Sequence, residues 1–76
     1  MEIKITYLKK IDKTNCYLVE GYYTTNNDPN AWGFKVKGGL WIPYNLITLD
    51  KSAIGKTLEY FCNERGNVAL AKLKVQ

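Results

Sequence analysis

The chain has 76 residues, of which 46% are hydrophobic, 13% aromatic and 24% charged, and its 11 Lys and Arg against 7 Asp and Glu give a net charge of +4. A chain of this length forms one domain, residues 1–76, with a thin core. Because there is no His, a Ser-His-Asp triad, a Cys-His pair and a His-ligated zinc site are excluded. We therefore expect a protein that is not an enzyme and needs no metal or cofactor.

The cysteines and the apolar runs predict the cellular setting. Two cysteines, Cys16 and Cys62, are too few for a site of four thiolates. They are predicted to be buried apolar side chains, and a disulfide between them is left open. No apolar run approaches the roughly 20 residues of a membrane span, and the N-terminus lacks the apolar core of a secretory signal. The expected location is the cytoplasm, without membrane contact.

Apolar and polar residues alternate along the first third of the chain, which is the pattern of half-buried strands. The predicted elements are a strand over 3–11 with a bulge at 8–9, a turn over 12–15, a strand over 16–24 and a polar loop over 25–30.

A double glycine, Gly38-Gly39, lies between the next two alternating runs. With residues 37–39 as a loop and Gly39 in its left-handed position, these runs predict a hairpin. Its other face would place Lys35 opposite Trp41 and Gly33 opposite Pro43, so an exposed indole is expected beside a lysine. The alternative is that Trp41 packs under the loop over 25–30 or under a chain terminus. The six residues predicted to share the buried face of this hairpin are Trp32, Phe34, Val36, Leu40, Ile42 and Tyr44.

Residues 52–64 allow a helix capped by Ser52 or the first strand of a second hairpin. The hairpin is favoured because, with a turn over 64–67, it pairs large with small side chains inside and opposite charges outside. The predicted pairs are Leu58 with Leu73, Glu59 with Lys72, Tyr60 with Ala71, Phe61 with Leu70 and Cys62 with Ala69. The chain is therefore predicted to be a mostly β protein, a small five- or six-stranded antiparallel barrel of OB-like or SH3-like type. One short helix around 52–64 is the alternative.

Two segments resemble known families. The runs IGKTLEYF at 54–61 and NERGNVA at 63–69 resemble the final hairpin of cold-shock-type OB domains, and this resemblance implies nucleic-acid binding on an OB barrel. The aromatic RNA-binding motifs of those domains are not found in the first part of this chain. The run LWIPYNLI at 40–47 is similar to a Trp-Ile-Pro strand of small phage and mobile-element proteins, with Tyr44-Asn45 where Lys-Ser is usual. Each resemblance covers less than a third of the chain.

The basic and aromatic residues predict contact with single-stranded DNA or RNA, in which a base stacks on an exposed indole and lysines meet phosphates. A solvated basic face is the alternative interpretation, because +4 is an ordinary charge for a small domain. The predicted nucleic-acid-binding residues are Lys35, Lys37, Trp41, Arg65, Lys72 and Lys74.

The alternative function is a protein-binding module, such as a phage-type inhibitor or adaptor of a host protein. Its predicted anchors are Trp41, Phe61 and Leu70. Phe61 and Leu70 form an exposed apolar pair in the second hairpin, and such a pair also predicts a homodimer interface.

Overall fold

The structure is a computed structural model that describes residues 1–25 and 28–74, with the backbone alone described at Thr25 and over 28–32. It confirms a mostly β protein with antiparallel strands. The elements are β1 (Glu2–Ile11), β2 (Cys16–Thr25), β3 (Asp28–Lys35), β4 (Leu40–Pro43), a 3-10 turn (Lys51–Ala53), β5 (Thr57–Cys62) and β6 (Val68–Leu73).

All six strands belong to one sheet, in which the order of hydrogen-bonded neighbours is β3-β2-β1-β5-β6. Strand β4 pairs with β2 and also packs against β6, so the sheet curls until its two ends approach each other. The result is the small barrel-like fold that the alternation predicts, and its inner face holds the core. The fully buried core side chains with the largest volumes are Ile3, Ile5, Val19, Ile42, Leu58 and Tyr60.

The long pairing of β1 with β2 contains a bulge, but not where the sequence predicts it. The register shifts between Ile5 and Tyr7, whereas the prediction placed the bulge at 8–9. Gly21 lies opposite Ile5, and a Cβ atom on Gly21 would stand 2.1 Å from the carbonyl oxygen of Lys4. The two backbones therefore come together at a glycine directly beside the bulge.

The turn predicted over 12–15 is confirmed, and Asn15 closes it in the left-handed region with φ 54°. The polar loop predicted over 25–30 is wrong in part, because β3 already begins at Asp28. Residues 26 and 27 of that loop lie outside the described residues.

The double glycine does not reverse the chain, so the predicted hairpin of β3 and β4 is wrong. Both strands run antiparallel to the same edge of β2, with Lys35 opposite Tyr22 and Leu40 opposite Val19. From Lys35 to Leu40 the chain advances five positions, while the paired stretch of β2, from Tyr22 to Val19, covers only three. Gly38 and Gly39, with φ 74° and 75°, accommodate the two extra residues, and β3 and β4 are successive pieces of one interrupted strand.

This topology confirms some of the predicted inward positions and overturns others. Val36 and Ile42 are buried, and Ile42 lies opposite Tyr17 of β2. Phe34 is 88% exposed, because no β3–β4 pairing exists to place it opposite Ile42. The side chain of Trp32 lies outside the described residues. Two further predicted positions, Leu40 and Tyr44, are half-buried and pack against the core.

The second hairpin, β5 with β6, is confirmed in four of its five predicted pairs. The four residues of β5 that face their predicted partners in β6 are Leu58, Glu59, Tyr60 and Phe61. The prediction is wrong at Cys62, which lies opposite Val68 because the register shifts just before it.

The alternative helix over 52–64 does not form. A single 3-10 turn at Lys51–Ala53 precedes β5, and its N-cap is Asp50, not the predicted Ser52. The Asp50 carboxylate accepts hydrogen bonds from the backbone N–H of Ser52, at 2.9 Å, and from its hydroxyl. Within residues 1–25 and 28–74, no helix has the length and apolar character needed to cross a membrane.

Candidate binding surfaces

Trp41 points away from the core, as the sequence predicts, and is 47% exposed. It lies opposite Leu18 of β2, and Leu18 lies opposite Lys9 of β1 on its other side. Register partners share one face of a sheet, and neighbouring strands lie about 4.8 Å apart. The indole, the leucine and the lysine therefore form a short row across three strands on the outer face.

Lys35 does not stand beside this indole, so the predicted pair of Lys35 and Trp41 is wrong. Lys35 lies opposite Tyr22, four residues along β2 from Leu18, which is about 13 Å in a strand. Its Nζ atom is 3.8 Å from Oε1 of Glu20, which lies between the two positions on the same face. The lysine in the row of Trp41 is Lys9, which the sequence-based prediction missed. Gly33 is likewise not opposite Pro43, which pairs with Cys16.

Tyr7 is a second exposed aromatic residue on this face, and the bulge in β1 puts it there. Ile3 and Ile5 point inward, so unbroken alternation would send Tyr7 inward as well. The register shift after Ile5 reverses the phase, so Tyr7 lies opposite Glu20 and is 42% exposed. We use the name Trp41 face for the outer surface formed by Tyr7, Lys9, Leu18, Glu20, Lys35 and Trp41.

The remaining predicted cations are dispersed. Lys72 forms an ion pair with Glu59, with Nζ and Oε1 3.7 Å apart, and Lys74 forms one with Glu2 at 3.1 Å. No strand pairing joins β3 to β6, so the sheet register does not place Lys35 beside Lys72. The last two predicted cations are exposed in connections, Lys37 after β3 and Arg65 in the turn between β5 and β6.

Phe61 and Leu70 form the second candidate surface. They lie opposite each other on β5 and β6, with 51% and 57% of their surfaces exposed, as the sequence predicts. Met1 is 59% exposed, and Met1 and Phe61 line one hollow of about 380 Å³ together with Glu2, Thr24 and Glu59. We use the name Phe61 face for Met1, Phe61 and Leu70.

A ring cluster ties the end of β4 to the start of β2. The Tyr44 hydroxyl donates to Oδ1 of Asp12 at 2.8 Å, and its ring lies edge-on to Tyr17 with centroids 4.8 Å apart. Lys10 Nζ lies 5.6 Å from the centroid of the same ring. Desolvation, and then the hydrogen bond to Asp12, raise the pKa of Tyr44 to about 12, so its hydroxyl stays protonated at neutral pH.

Both cysteines are free thiols, and one of them is not where the sequence predicts. Cys16 is half-buried, but Cys62 is exposed because it ends β5 at the register shift. Among the residues that the structure describes, no three His, Cys, Asp or Glu side chains come together as a metal site.

Comparisons of this chain with protein-family models, curated proteins and solved structures give no match. The resemblances to cold-shock-type OB domains and to small phage proteins therefore stay predictions.

Proposed function

We propose that this protein is a small non-enzymatic binding module that contacts single-stranded DNA or RNA through the Trp41 face. The observation that carries the proposal is the half-exposed indole of Trp41 standing in a row with Leu18 and Lys9. An exposed ring on a sheet accepts a stacked base, and a nearby ammonium group meets the phosphate backbone. Tyr7 offers a second ring on the same face.

The ion pair within this face does not prevent phosphate binding. Lys35 and Glu20 are 3.8 Å apart, and the Lys35 side chain is 58% exposed. Exposed pairs of this kind contribute about 0–1 kcal/mol, so Lys35 can exchange Glu20 for a phosphate at little cost. Four other cations outside the Trp41 face add positive charge that attracts the nucleic acid, and they belong to the proposal: Lys37, Arg65, Lys72 and Lys74. Binding of this type has little sequence preference and weakens steeply with salt.

The test is a fluorescence-anisotropy titration of a labelled thymidine oligonucleotide of about 12 nucleotides, which suits the site size of small single-strand binders. Loss of one stacked base costs about 1–3 kcal/mol, so Trp41→Ala is expected to weaken binding about 5- to 150-fold. Lys9→Ala is expected to reduce the slope of log affinity against log salt by about one contact.

Matched control variants distinguish a specific contribution of the Trp41 face from the effect of removing any exposed charge or any exposed ring. Phe34→Ala removes an exposed ring outside the Trp41 face, and Lys13→Ala removes an exposed lysine in the β1–β2 turn. Both are expected to bind the oligonucleotide like the parent protein. The proposal is wrong if the parent fails to bind at low salt, or if Trp41→Ala binds as tightly as Phe34→Ala.

The second candidate function is protein binding, and the Phe61 face favours it. Phe61 and Leu70 are exposed apolar neighbours flanked by the Glu59–Lys72 ion pair, which is the arrangement of an apolar centre with a polar rim. The partner is either another protein, as for a phage-type inhibitor or adaptor, or a second copy of this chain. Salt distinguishes the two functions, because an apolar contact persists at salt concentrations that release a nucleic acid.

Self-association through the Phe61 face is tested by sedimentation of the parent protein and of the double variant Phe61→Ser with Leu70→Ser. A concentration-dependent dimer that the double variant loses supports this function. A monomeric parent excludes the homodimer.

A reducing, cytoplasmic location forms part of the proposal. It is supported by two thiols, Cys16 and Cys62, that stay free in the folded chain.

A further inference from the structure

A groove lies beside the second half of β1, away from the Phe61 face. The pairing of β5 with β1 involves only the first residues of β1, Glu2–Lys4. Beyond it, the segment before the 3-10 turn, residues 48–50, lines this groove together with residues 8–10 of β1. The groove has a volume of about 480 Å³, and the residues that line it are Leu8, Lys9, Lys10, Tyr17, Thr48, Leu49, Asp50 and Lys51.

The groove combines an apolar floor with a basic rim. Leu49 and Tyr17 are core side chains, 3% and 4% exposed, and Leu8 is half-buried against the same core. Lys10 is exposed at the rim, opposite Tyr17 and on the same side of β1 as Leu8, whereas the adjacent Lys9 also lines the groove but lies on the Trp41 face. The second exposed lysine at the rim, Lys51, comes from the 3-10 turn.

The single acidic group at the rim is already engaged within the chain. Asp50 accepts hydrogen bonds from the backbone N–H and the hydroxyl of Ser52. These bonds, and to a smaller extent the charge of Lys56, lower the pKa of Asp50, so it is ionised at neutral pH. One carboxylate that caps a turn leaves the ammonium groups of Lys10 and Lys51 with an excess of positive charge at the rim.

We propose that this groove binds a small organic anion with an apolar body, of which an aryl phosphate is the simplest example. The floor of Leu8, Tyr17 and Leu49 takes the apolar body, and the lysines at the rim hold the anionic group. The volume lies in the range of small-molecule sites, about 300–1,000 Å³. Lys9 lines the groove and also belongs to the Trp41 face, but Trp41 does not line the groove, so Trp41→Ala distinguishes this site from the proposed nucleic-acid contact.

The test is an NMR titration of amide shifts with 1-naphthyl phosphate as the probe. Shifts are expected at Lys10, Leu49, Asp50 and Lys51. Inorganic phosphate lacks the apolar body, and 1-naphthol lacks the anion. Each is expected to bind at least about tenfold more weakly, which corresponds to about 1.4 kcal/mol.

Variants that remove one lysine charge at a time show which lysine contacts the phosphate group of the probe. Lys51→Ala is expected to weaken binding of 1-naphthyl phosphate about five- to tenfold. Lys37→Ala, which removes the same charge in the β3–β4 connection, is expected to leave it unchanged. Trp41→Ala is also expected to leave it unchanged, so failure of the nucleic-acid proposal and failure of this one give different results.

Three outcomes overturn the proposal. The first is a set of shifts centred on Trp41 or Phe61 instead of the groove. The second is equal weakening by Lys51→Ala and Lys37→Ala, which would indicate bulk charge. The third is equal affinity for 1-naphthol and its phosphate, which would indicate apolar adsorption alone.

Discussion

The Tyr44 hydroxyl donates a 2.8 Å hydrogen bond to the carboxylate of Asp12, which lies 32 residues earlier in the chain. The backbone N–H of Tyr44 donates to the carbonyl oxygen of Asn15, at 3.0 Å, in the same turn. Together these bonds fasten the end of β4 to the β1–β2 turn. They hold β4 along β2 where the double glycine leaves the chain free to take another direction.

Alkaline pH is expected to destabilise the fold through Tyr44. The pKa of this hydroxyl is raised from 10 to about 12, so folding favours its neutral form. The contribution of Tyr44 to the stability of the folded state is therefore complete below pH 10 and is lost as the pH rises from about 10 to 12. Tyr44→Phe is expected to remove part of this pH dependence in urea unfolding at pH 8, 10 and 11. Burial also raises the pKa of Tyr60, so a remaining slope is expected.

Tyr7→Phe is the control for this experiment, because its ring is exposed on the outer face. It is expected to keep the pH dependence of the parent protein. A Tyr44→Phe variant whose stability falls in parallel with the parent from pH 8 to 11 would contradict the assigned role of this hydroxyl.

Two adjacent residues of β4 are expected to differ sharply in their contribution to stability. Ile42 is fully buried, and Ile42→Ala should cost about 3 kcal/mol through lost burial and the cavity it leaves. Trp41 is about half exposed, and Trp41→Ala should cost about 1 kcal/mol. The measurement is the free energy of unfolding in urea. Equal losses in the two variants would mean that the indole is a core residue.

Gly21 is expected to be intolerant of any side chain. A Cβ atom there meets backbone, the Lys4 carbonyl oxygen at 2.1 Å, which cannot move without breaking the β1–β2 ladder. Gly21→Ala should therefore cost about 3 kcal/mol or more. The comparison variant is Gly38→Ala, where φ is 74° and nothing lies within 4 Å, so only backbone strain of about 1–2 kcal/mol is expected. The measurement is the midpoint of thermal unfolding of the two variants. A smaller loss of stability for Gly21→Ala than for Gly38→Ala would show that β1 and β2 can separate at this position.

The two thiols are expected to react at different rates. Cys62 is exposed and Cys16 is half-buried, so a disulfide reagent should modify one thiol in a fast phase and the other at least about tenfold more slowly. Cys62→Ser should remove the fast phase and leave the slow one. Loss of the slow phase instead would reverse the assignment.

The second hairpin shows what local pattern can determine. Glu59 faces Lys72 and Phe61 faces Leu70 as predicted, because a short turn at Gly66 leaves two adjacent alternating runs one consistent register. The exposure of Trp41 was predictable for the same reason, since alternation assigns a residue to a face. The register error at Cys62 lies at the strand end, where no flanking pair constrains it.

Alternation does not identify the partner strand, and there the sequence-based prediction failed. The double glycine suits a hairpin, yet β4 pairs with β2 and places Ile42 against Tyr17. The bulge after Ile5 is equally invisible in the pattern, and it turns Tyr7 outward. The groove at Lys51 joins residues about forty positions apart, from β1 and from the 3-10 turn.

Composition and alternation by themselves determined an antiparallel β protein, the β5–β6 hairpin and the outward side of Trp41, because these depend on neighbours in the chain. Only the tertiary structure decided which strands meet, that Lys9 replaces Lys35 in the row of Trp41, and that a basic groove exists. Those features depend on contacts between distant segments, whose pairing is settled by burial of the common core and not by local pattern.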